Sequence, residues 1–201
     1  MAVVNKLSVQ NIRSHDKFVI KLSPTITVIT GSNGSGKTSL VEALYISLQG
    51  TSFKGSDSDV LRRQSDWWRI DLELDSHKKR SITFDPNLIT GRKKITIDDK
   101  TMYRMPVKYK HPIVLFEPDD LRLLHGSPAR RRQFIDRFIS QLDPLYLNAI
   151  HKYDRALKQR NNLLKNQYTT SDEMFAWNVT LILNQCATNQ IDDAKHHYHF
   201  L

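Results

Sequence analysis

One stretch near the start of the chain constrains the fold more than any other. Residues 31–38 read Gly-Ser-Asn-Gly-Ser-Gly-Lys-Thr and match the pattern G-x-x-x-x-G-K-[ST]. The β-branched run at 25–30 predicts a buried strand before it. Apolar residues at helical spacing over 39–48, with Gly50 as the stop, predict a helix after it. Together these three elements indicate a phosphate-binding loop.

Each residue type in this loop has a physical role in holding phosphates. Glycines let backbone N–H groups approach phosphate oxygens, and the start of the following helix adds partial positive charge. Lys37 is placed to reach the β- and γ-phosphates, the Thr38 hydroxyl to ligate Mg²⁺, and Ser39 to bond the α-phosphate. The full pattern disfavours the alternative, a glycine-rich turn without a ligand. The predicted nucleotide site comprises Gly31, Ser32, Asn33, Gly34, Ser35, Gly36, Lys37, Thr38 and Ser39, with Thr38 as the metal ligand.

The charge of the chain favours a polyanionic partner. Lysine and arginine number 30 against 21 aspartates and glutamates, which gives a net charge of +9 and a pI near 9.7. A single basic cluster is typical of a solvated surface, whereas several in a nucleotide-binding chain favour nucleic acid. The clusters are Arg62-Arg63, Lys78-Lys79-Arg80, Arg92-Lys93-Lys94, Lys108 with Lys110, and Arg130-Arg131-Arg132.

The same composition predicts a cytoplasmic protein with no membrane partner. The chain has no run of about 18 apolar residues and no signal-peptide core at its start. Its one cysteine, Cys186, excludes an internal disulfide framework. The histidine-rich end, Lys195 to Leu201, allows a metal-site interpretation, but such a terminal cluster without carboxylates is more often incidental.

Strand-like patterns occupy much of the first half of the chain. Residues 2–10 and 17–22 predict two strands around a turn at 11–16. From Trp68 onward, alternation over 68–75, 81–84 and 94–97 predicts an antiparallel β subdomain over about 67–110 with one solvated face. Trp67 and Trp68 fit core or edge packing better than base stacking. The run at 113–116, ending at Glu117, has the form of a Walker B strand, and also of an ordinary buried strand before a turn.

Helical signals dominate the second half. Ser127-Pro128 and Asp143-Pro144 each combine an N-cap residue with a first-turn proline. The second of these opens a long amphipathic helix to about residue 167, and a capping box at 170–173 opens another, which forms a helical hairpin over about 144–195. Arg130-Arg131-Arg132 near a helix start opposes the dipole, so the cluster needs carboxylates or an anion. The cations of the long helix either contact DNA or are simply solvated: Lys152, Arg155, Lys158, Arg160 and Lys165.

Two blocks of sequence resemble the RecF family, bacterial recombination-mediator ATPases related to SMC and ABC heads. The first is NIRSHDKFVIKLSPTITVITGSNGSGKTSLVEALYISLQGTSFKG at 11–55; the second runs from Pro112 to Leu124 and from Gly126 to Asp136. The second block is the more discriminating, because a phosphate-binding loop alone occurs in many families. The resemblance covers residues 2 to about 165. It implies that Arg13 lies in a turn like the SMC-type R-loop, in contact with nucleotide or DNA, although a plain surface turn fits equally well.

The resemblance implies an α/β P-loop NTPase of ABC/SMC-head type: a mixed sheet with an antiparallel β subdomain, followed by the start of a helical lobe. The expected division is an ATPase lobe at 1–126 and an incomplete helical lobe at 127–201. The family's Walker B lies further downstream, so the resemblance disfavours Glu117 as the catalytic acid. Neither a signature motif nor a Walker B Asp-Glu is recognisable, so we expect nucleotide binding with little turnover by this chain alone.

As further expectations, the resemblance implies an ATP-dependent homodimer with weak DNA-dependent ATPase activity, which binds ATP, Mg²⁺ and single-stranded or gapped DNA. Its partners would be recombination-mediator proteins, and its roles recombinase loading, DNA replication, recombination, repair and the SOS response. Two other functions stay open: a self-sufficient phosphotransferase that uses Glu117, and a DNA-binding module whose phosphate loop is vestigial.

Overall fold

The protein is described from a computed structural model that covers residues 3–75, 78–88, 93–121 and 127–165. The chain divides into two compact units, Met1–Ile113 and Val114–Leu201. The first unit contains a sheet with a helix that leads out of the phosphate loop. The second contains two long helices. Each unit is described separately.

The first unit is built on a six-stranded sheet with the order β2-β1-β3-β4-β5-β6. All of its pairings are antiparallel. The two N-terminal strands therefore join the predicted β subdomain in one sheet. The strands are β1 Val4–Ile12, β2 His15–Lys21, β3 Trp68–Leu74, β4 Lys79–Phe84, β5 Lys94–Ile97 and β6 Lys100–Met102.

Alternation along each strand gives the sheet one buried and one solvated face. In β3, Ile70, Leu72 and Leu74 are buried, whereas Arg69 and its alternate neighbours point outward. Trp68 is fully buried and stacks on Phe84 at 5.8 Å between ring centroids, which confirms its core role. The buried face packs against helix α1, Lys37–Gln49, whose Leu40, Ala43 and Ile46 complete the core.

Two cations that the sequence places in surface clusters are buried instead. Lys93 is 8% exposed, and its Nζ donates to both carboxylate oxygens of Asp57 at 2.7 and 2.8 Å. Asp57 begins the short helix α2, Asp57–Val60. Arg80 is 5% exposed on β4. Arg80 lies in the inward-facing register of β4, and Lys93 directly precedes β5 in the same register, so these two cations are not part of a solvated surface.

Arg80 belongs to a polar network at the end of α1. Its Nη1 donates to the carbonyl of Ser47 at 3.3 Å, and its Nη2 lies 2.7 Å from His111 Nε2. His111 in turn donates its backbone N–H to Leu48, and Gln49 donates to the His111 carbonyl. Because a guanidinium can only donate, His111 Nε2 must accept, and the imidazole is held neutral. Burial and the Arg80 charge lower the pKa of His111, outweighing the opposite effect of Asp75.

Acidification should destabilise this network. In the unfolded chain the pKa of His111 is near 6.5, whereas in the folded state it is lower. Neutral His111 therefore stabilises the folded state fully above pH 6.5, and this stabilisation is lost as the pH falls below that value. We expect the melting temperature of the wild type to drop between pH 7.5 and pH 5.5 by more than that of His111→Gln, whose amide oxygen also accepts from Arg80. Parallel melting curves of the two proteins would contradict this role of His111.

The second unit contains a helical hairpin. Helix α3 spans Pro128–Leu142 and helix α4 spans Pro144–Lys165, as the two Pro-containing signals predict. Asp143 caps α4, because its Oδ1 accepts from the backbone N–H of Leu145 at 2.7 Å. The Tyr146 hydroxyl donates to Asp136 Oδ1 at 2.6 Å and ties the two helices together.

Two predicted strands are wrong. Residues 25–30 form no strand, and Ile26 and Val28 are 78% and 77% exposed. Residues 113–116 likewise form none, with Val114 and Phe116 each 64% exposed, so neither the Walker B nor the buried-strand interpretation of this segment holds. A strand needs a hydrogen-bonded neighbour as well as β propensity, and no strand of the described residues pairs with either run.

Several predictions fall outside the described residues. These are the second half of the predicted hairpin from residue 166, the capping box at 170–173, Cys186 and the terminal histidines. Among the helices that the structure does describe, none combines the length and hydrophobicity needed to span a bilayer.

Candidate nucleotide-binding site

The phosphate loop is closed by its own lysine. Lys37 Nζ donates to the carbonyls of Gly31 and Ser32, both at 2.7 Å. The backbone N–H of Ser35 donates to Ser32 at 3.2 Å. The carbonyls of Gly31 and Ser32 therefore point toward Lys37. The residues that follow them lead into the first turn of α1.

Backbone N–H groups in and after the loop are available as donors. Within the described part of the chain, the N–H groups of Gly34, Gly36, Lys37 and Thr38 make no hydrogen bond. The last two belong to the first turn of α1, where N–H groups have no intrahelical acceptor and the helix dipole adds positive charge. This donor set fits phosphate oxygens, as the sequence predicts.

The turn between β1 and β2 lies against the last glycine of the loop. His15 Nε2 donates to the Gly36 carbonyl at 3.1 Å, and the His15 ring contacts Phe18 at 5.3 Å between centroids. Gly36 has φ of 89°, and a Cβ there would clash with His15 and with the Ser14 hydroxyl. Glycine is therefore required at this position both by backbone conformation and by space.

Arg13, predicted to contact nucleotide or DNA, is held by a carboxylate of α1. Its Nε and Nη2 donate to the two oxygens of Glu42 at 3.1 and 2.9 Å. Ser52 donates to the same carboxylate at 2.6 Å, and the Glu42 side chain is 1% exposed. We refer to Arg13, Glu42 and Ser52 as the turn–helix clamp.

Electrostatics keeps the clamp ionised. Burial on its own raises the pKa of Glu42, but the hydrogen bonds from Arg13 and Ser52 and the Arg13 charge outweigh it, so the pKa is lowered. The hydrogen bond to Glu42 raises the pKa of Arg13. A buried carboxylate is tolerated when it is paired with a cation and hydrogen-bonded, as Glu42 is. The clamp therefore fixes the β1–β2 turn relative to the helix that follows the phosphate loop.

Sequence reasoning missed Glu42, Ser52 and His15. Glu42 lies among the apolar residues of α1, between Val41 and Ala43, and this position on the buried side is the only local signal for a buried acid. Its partner Arg13 is 29 residues away in sequence, so the pairing has no signature in local spacing.

Glu117 belongs to the second unit and is not on a strand. Its backbone N–H donates to Asp120 Oδ2 at 2.7 Å, and its carbonyl accepts from Asp120 N at 2.8 Å, around the 3₁₀ turn Pro118–Leu121. The described residues contain no group of three or more His, Cys, Asp or Glu side chains arranged to hold a metal.

Substitution of Gly36 should damage the loop more than substitution of Gly34. Gly36→Ala places a Cβ against His15 and Ser14 in a left-handed conformation, whereas Gly34 has a similar φ of 82° but open space around it. We expect Gly36→Ala to lower the melting temperature and to weaken nucleotide binding, and Gly34→Ala to show the smaller effect in both. Equal effects of the two variants, by calorimetry and titration, would contradict the contact with the β1–β2 turn.

Loss of the Glu42 charge should destabilise the first unit. Glu42→Gln keeps the shape but leaves the Arg13 charge unpaired, at a cost of about 2 kcal/mol in urea unfolding at pH 7. The matched control is Glu73→Gln, which removes an exposed pair with Lys6 at 3.8 Å and should cost less than about 0.5 kcal/mol.

The pH dependence gives a second readout of the same pair. The pKa of Glu42 is lower in the folded state than in the unfolded state, where it is near 4.5. Ionised Glu42 therefore stabilises the folded state above pH 4.5, and this stabilisation is lost as the pH falls through the folded-state pKa. Below pH 4.5 the wild type should therefore approach the stability of Glu42→Gln. A constant difference between the two proteins down to pH 3 would show that Glu42 is not ionised in the clamp.

Comparison with known protein families identifies the family of this chain and several relatives. A model of the AAA_23 family, an AAA domain, matches residues 6–194. The DNA replication and repair protein RecF of Staphylococcus aureus strain JH9 is 32% identical over 164 residues, and that of Staphylococcus carnosus strain TM300 is 34% identical over 166 residues. Each alignment covers 81% of this chain and 44% of the relative, so the chain spans less than half the length of these relatives.

Solved structures show the same fold. A structure of the recombination mediator protein RecF with ATP, from the RecFOR pathway, has a TM-score of 0.79 at 23% identity over 98% of this chain and 54% of its own. The SMC head domain of Pyrococcus furiosus has a TM-score of 0.52 at 17% identity over 98% of this chain and 58% of its own. These similarities confirm the predicted fold class, a P-loop ATPase head of the RecF and SMC type.

Proposed function

Because this chain belongs to the AAA_23 family of AAA domains and its resemblance to RecF is confirmed, we propose that it is a RecF-like ATPase head that binds Mg·ATP. The observation that carries the proposal is the geometry of the phosphate loop. Its lysine closes the loop, and the N–H groups at Gly34, Gly36, Lys37 and Thr38 are available to an anion at a helix N-terminus.

Each residue of the loop would make a different contact with Mg·ATP. The backbone of Ser32 to Gly36 surrounds the phosphates, and Lys37 exchanges its carbonyl contacts for the β- and γ-phosphates. The exposed Thr38 hydroxyl ligates Mg²⁺, and phosphate oxygens and water supply the remaining ligands. Ser39 reaches the α-phosphate. Arg13 acts through the clamp, as a positioning residue for the loop and its helix.

The proposed role of the whole protein is in DNA replication and recombinational repair. Relatives carry the name DNA replication and repair protein RecF, and one solved neighbour is described as a recombination mediator. By analogy, an ATP-dependent homodimer would bind single-stranded or gapped DNA in the cytoplasm and aid recombinase loading together with mediator proteins. The basic net charge of +9 supports a nucleic-acid partner.

Turnover by the 201-residue chain alone should be negligible. Glu117 sits in a 3₁₀ turn, with its backbone bonded to Asp120, and not at the end of a strand. The chain also carries no recognisable signature motif. Weak DNA-dependent hydrolysis would then require the longer RecF-type chain as a dimer.

Lys37→Ala tests the proposal directly. We expect titration calorimetry to show Mg·ATP binding by the wild type and at least about tenfold weaker binding by the variant, because a charge-assisted contact to phosphate contributes about 1.5–3 kcal/mol. The matched control is Lys100→Ala on β6, which should bind like the wild type. Binding that survives Lys37→Ala would contradict the proposed site.

Two further measurements separate the alternatives. Thr38→Val should weaken binding in Mg²⁺ but leave binding in EDTA unchanged, since only the metal contact is lost. Steady turnover that Glu117→Gln abolishes would instead establish the phosphotransferase. DNA binding without any ATP binding would establish the vestigial-loop module.

A further inference from the structure

A cavity of the first unit lies at the end of α1 that is remote from the phosphate loop. Its volume is about 310 Å³, and its lining includes Gly50 after α1, Phe84 at the end of β4 and Met105 after β6. Lys37, at the start of α1, is about 20 Å from Gly50 along the helix at 1.5 Å per residue. The cavity is therefore separate from the nucleotide site.

Two cations, Arg104 and Lys110, line this cavity. Arg104 is exposed and Lys110 is partly buried. Between them the chain turns through the 3₁₀ helix Val107–Tyr109, which the Lys110 N–H closes by donating to the Val107 carbonyl at 2.9 Å. No carboxylate of the described residues lies within ion-pair distance of the Arg104 or Lys110 side chain.

A third cation at the cavity, Lys93, is already neutralised. It is buried, and its Nζ donates to both carboxylate oxygens of Asp57 at 2.7 and 2.8 Å. Asp57 is the one carboxylate among the described residues that line the cavity. The charges of Arg104 and Lys110 therefore give the cavity a net positive charge.

These two charges disfavour each other. Burial and, to a smaller extent, the charge of Arg104 lower the pKa of Lys110. A bound anion would offset this repulsion and accept charge-assisted hydrogen bonds from both side chains. A phosphate monoester carries a charge of about −1.5 to −2 at neutral pH, which matches the two cations. Arginine binds phosphate through its planar fork of donors, and lysine binds it as a point charge.

Other parts of the lining are apolar. Met105 and Phe84 are buried residues at the cavity, and Tyr103, which is 54% exposed, adds an aromatic ring. Aromatic groups pack favourably on tyrosine rings and against methionine sulfur. The volume also lies at the lower end of the range for small-molecule sites, about 300–1,000 Å³. The cavity thus suits a ring-bearing anion better than a bare inorganic anion.

We propose that this cavity binds a small phosphate monoester with an aromatic ring. Arg104 and Lys110 hold the phosphate, and Tyr103 and Met105 pack against the ring. The site goes beyond the proposed function, because it uses no residue of the phosphate loop.

The test uses phenyl phosphate as the probe. Inorganic phosphate and phenol are the matched controls, since each lacks one half of the probe. Titrations into the ¹⁵N-labelled 201-residue chain are followed by the amide shifts of Gly50, Thr51 and Lys110. We expect phenyl phosphate to saturate these shifts with a Kd on the order of 1 mM, and each control to bind at least about fivefold more weakly. Equal binding of inorganic phosphate would overturn the ring contact, and equal binding of phenol would overturn the phosphate contact.

Two double variants that lose the same charge test the residues. Arg104→Gln/Lys110→Gln removes the cations of the cavity. Lys94→Gln/Lys100→Gln removes two exposed lysines from β5 and β6. Circular dichroism verifies that both variants fold. We expect the cavity variant to bind phenyl phosphate at least about tenfold more weakly, and the control variant to bind it like the wild type. Equal losses would indicate general attraction of an anion to a basic chain and overturn the inference.

A single variant separates this cavity from the nucleotide site. In Lys37→Ala, the shifts of Gly50 and Lys110 should saturate at the same phenyl phosphate concentration as in the wild type. Their loss in Lys37→Ala would assign the probe to the phosphate loop and overturn the inference. If the wild type shows no shift at the cavity residues, the inference fails, while Mg·ATP binding at the loop is unaffected.

Discussion

The ion pair between Arg13 and Glu42 fixes the position of the β1–β2 turn relative to α1, the helix that follows the phosphate loop. It joins the β1–β2 turn to α1 from residues that are 29 positions apart, and it does so with a carboxylate that is 1% exposed. A buried carboxylate without its arginine would be costly, so the pair holds both elements in one arrangement. His15 adds a second contact from the same turn to the Gly36 carbonyl. The start of α1 is thereby fixed before any nucleotide arrives.

The far end of α1 is fixed in the same manner, by polar groups from other elements. Arg80 from β4 donates to the carbonyl of Ser47, and His111 donates its backbone N–H to Leu48. A cation near the C-terminus of a helix complements the dipole, just as a phosphate does at the N-terminus. Helix α1 is therefore held at both ends, and its apolar side packs on the sheet.

Local patterns predicted what depends on local chemistry. The loop, the helix after it, the alternation of β3 and the two proline-started helices all follow from residues within one element. The failures are non-local: residues 25–30 have the right propensity but no partner strand in the described chain. The Arg13–Glu42 pair has no local signature either. The burial of Arg80 and Lys93 did have a local signal in the strand alternation. Each lies two residues before a buried isoleucine, Ile82 or Ile95, and therefore faces the same side of the sheet.

In the proposed nucleotide site, the N–H groups of Gly34, Gly36, Lys37 and Thr38 donate hydrogen bonds to phosphate oxygens of ATP. Amide hydrogen exchange, measured with and without Mg·ATP, tests this most directly. We expect slowed exchange at these four amides in the wild type, with no slowing in Lys37→Ala at the same nucleotide concentration. Unchanged exchange across 31–38 under conditions where ATP is bound would show that the nucleotide binds elsewhere.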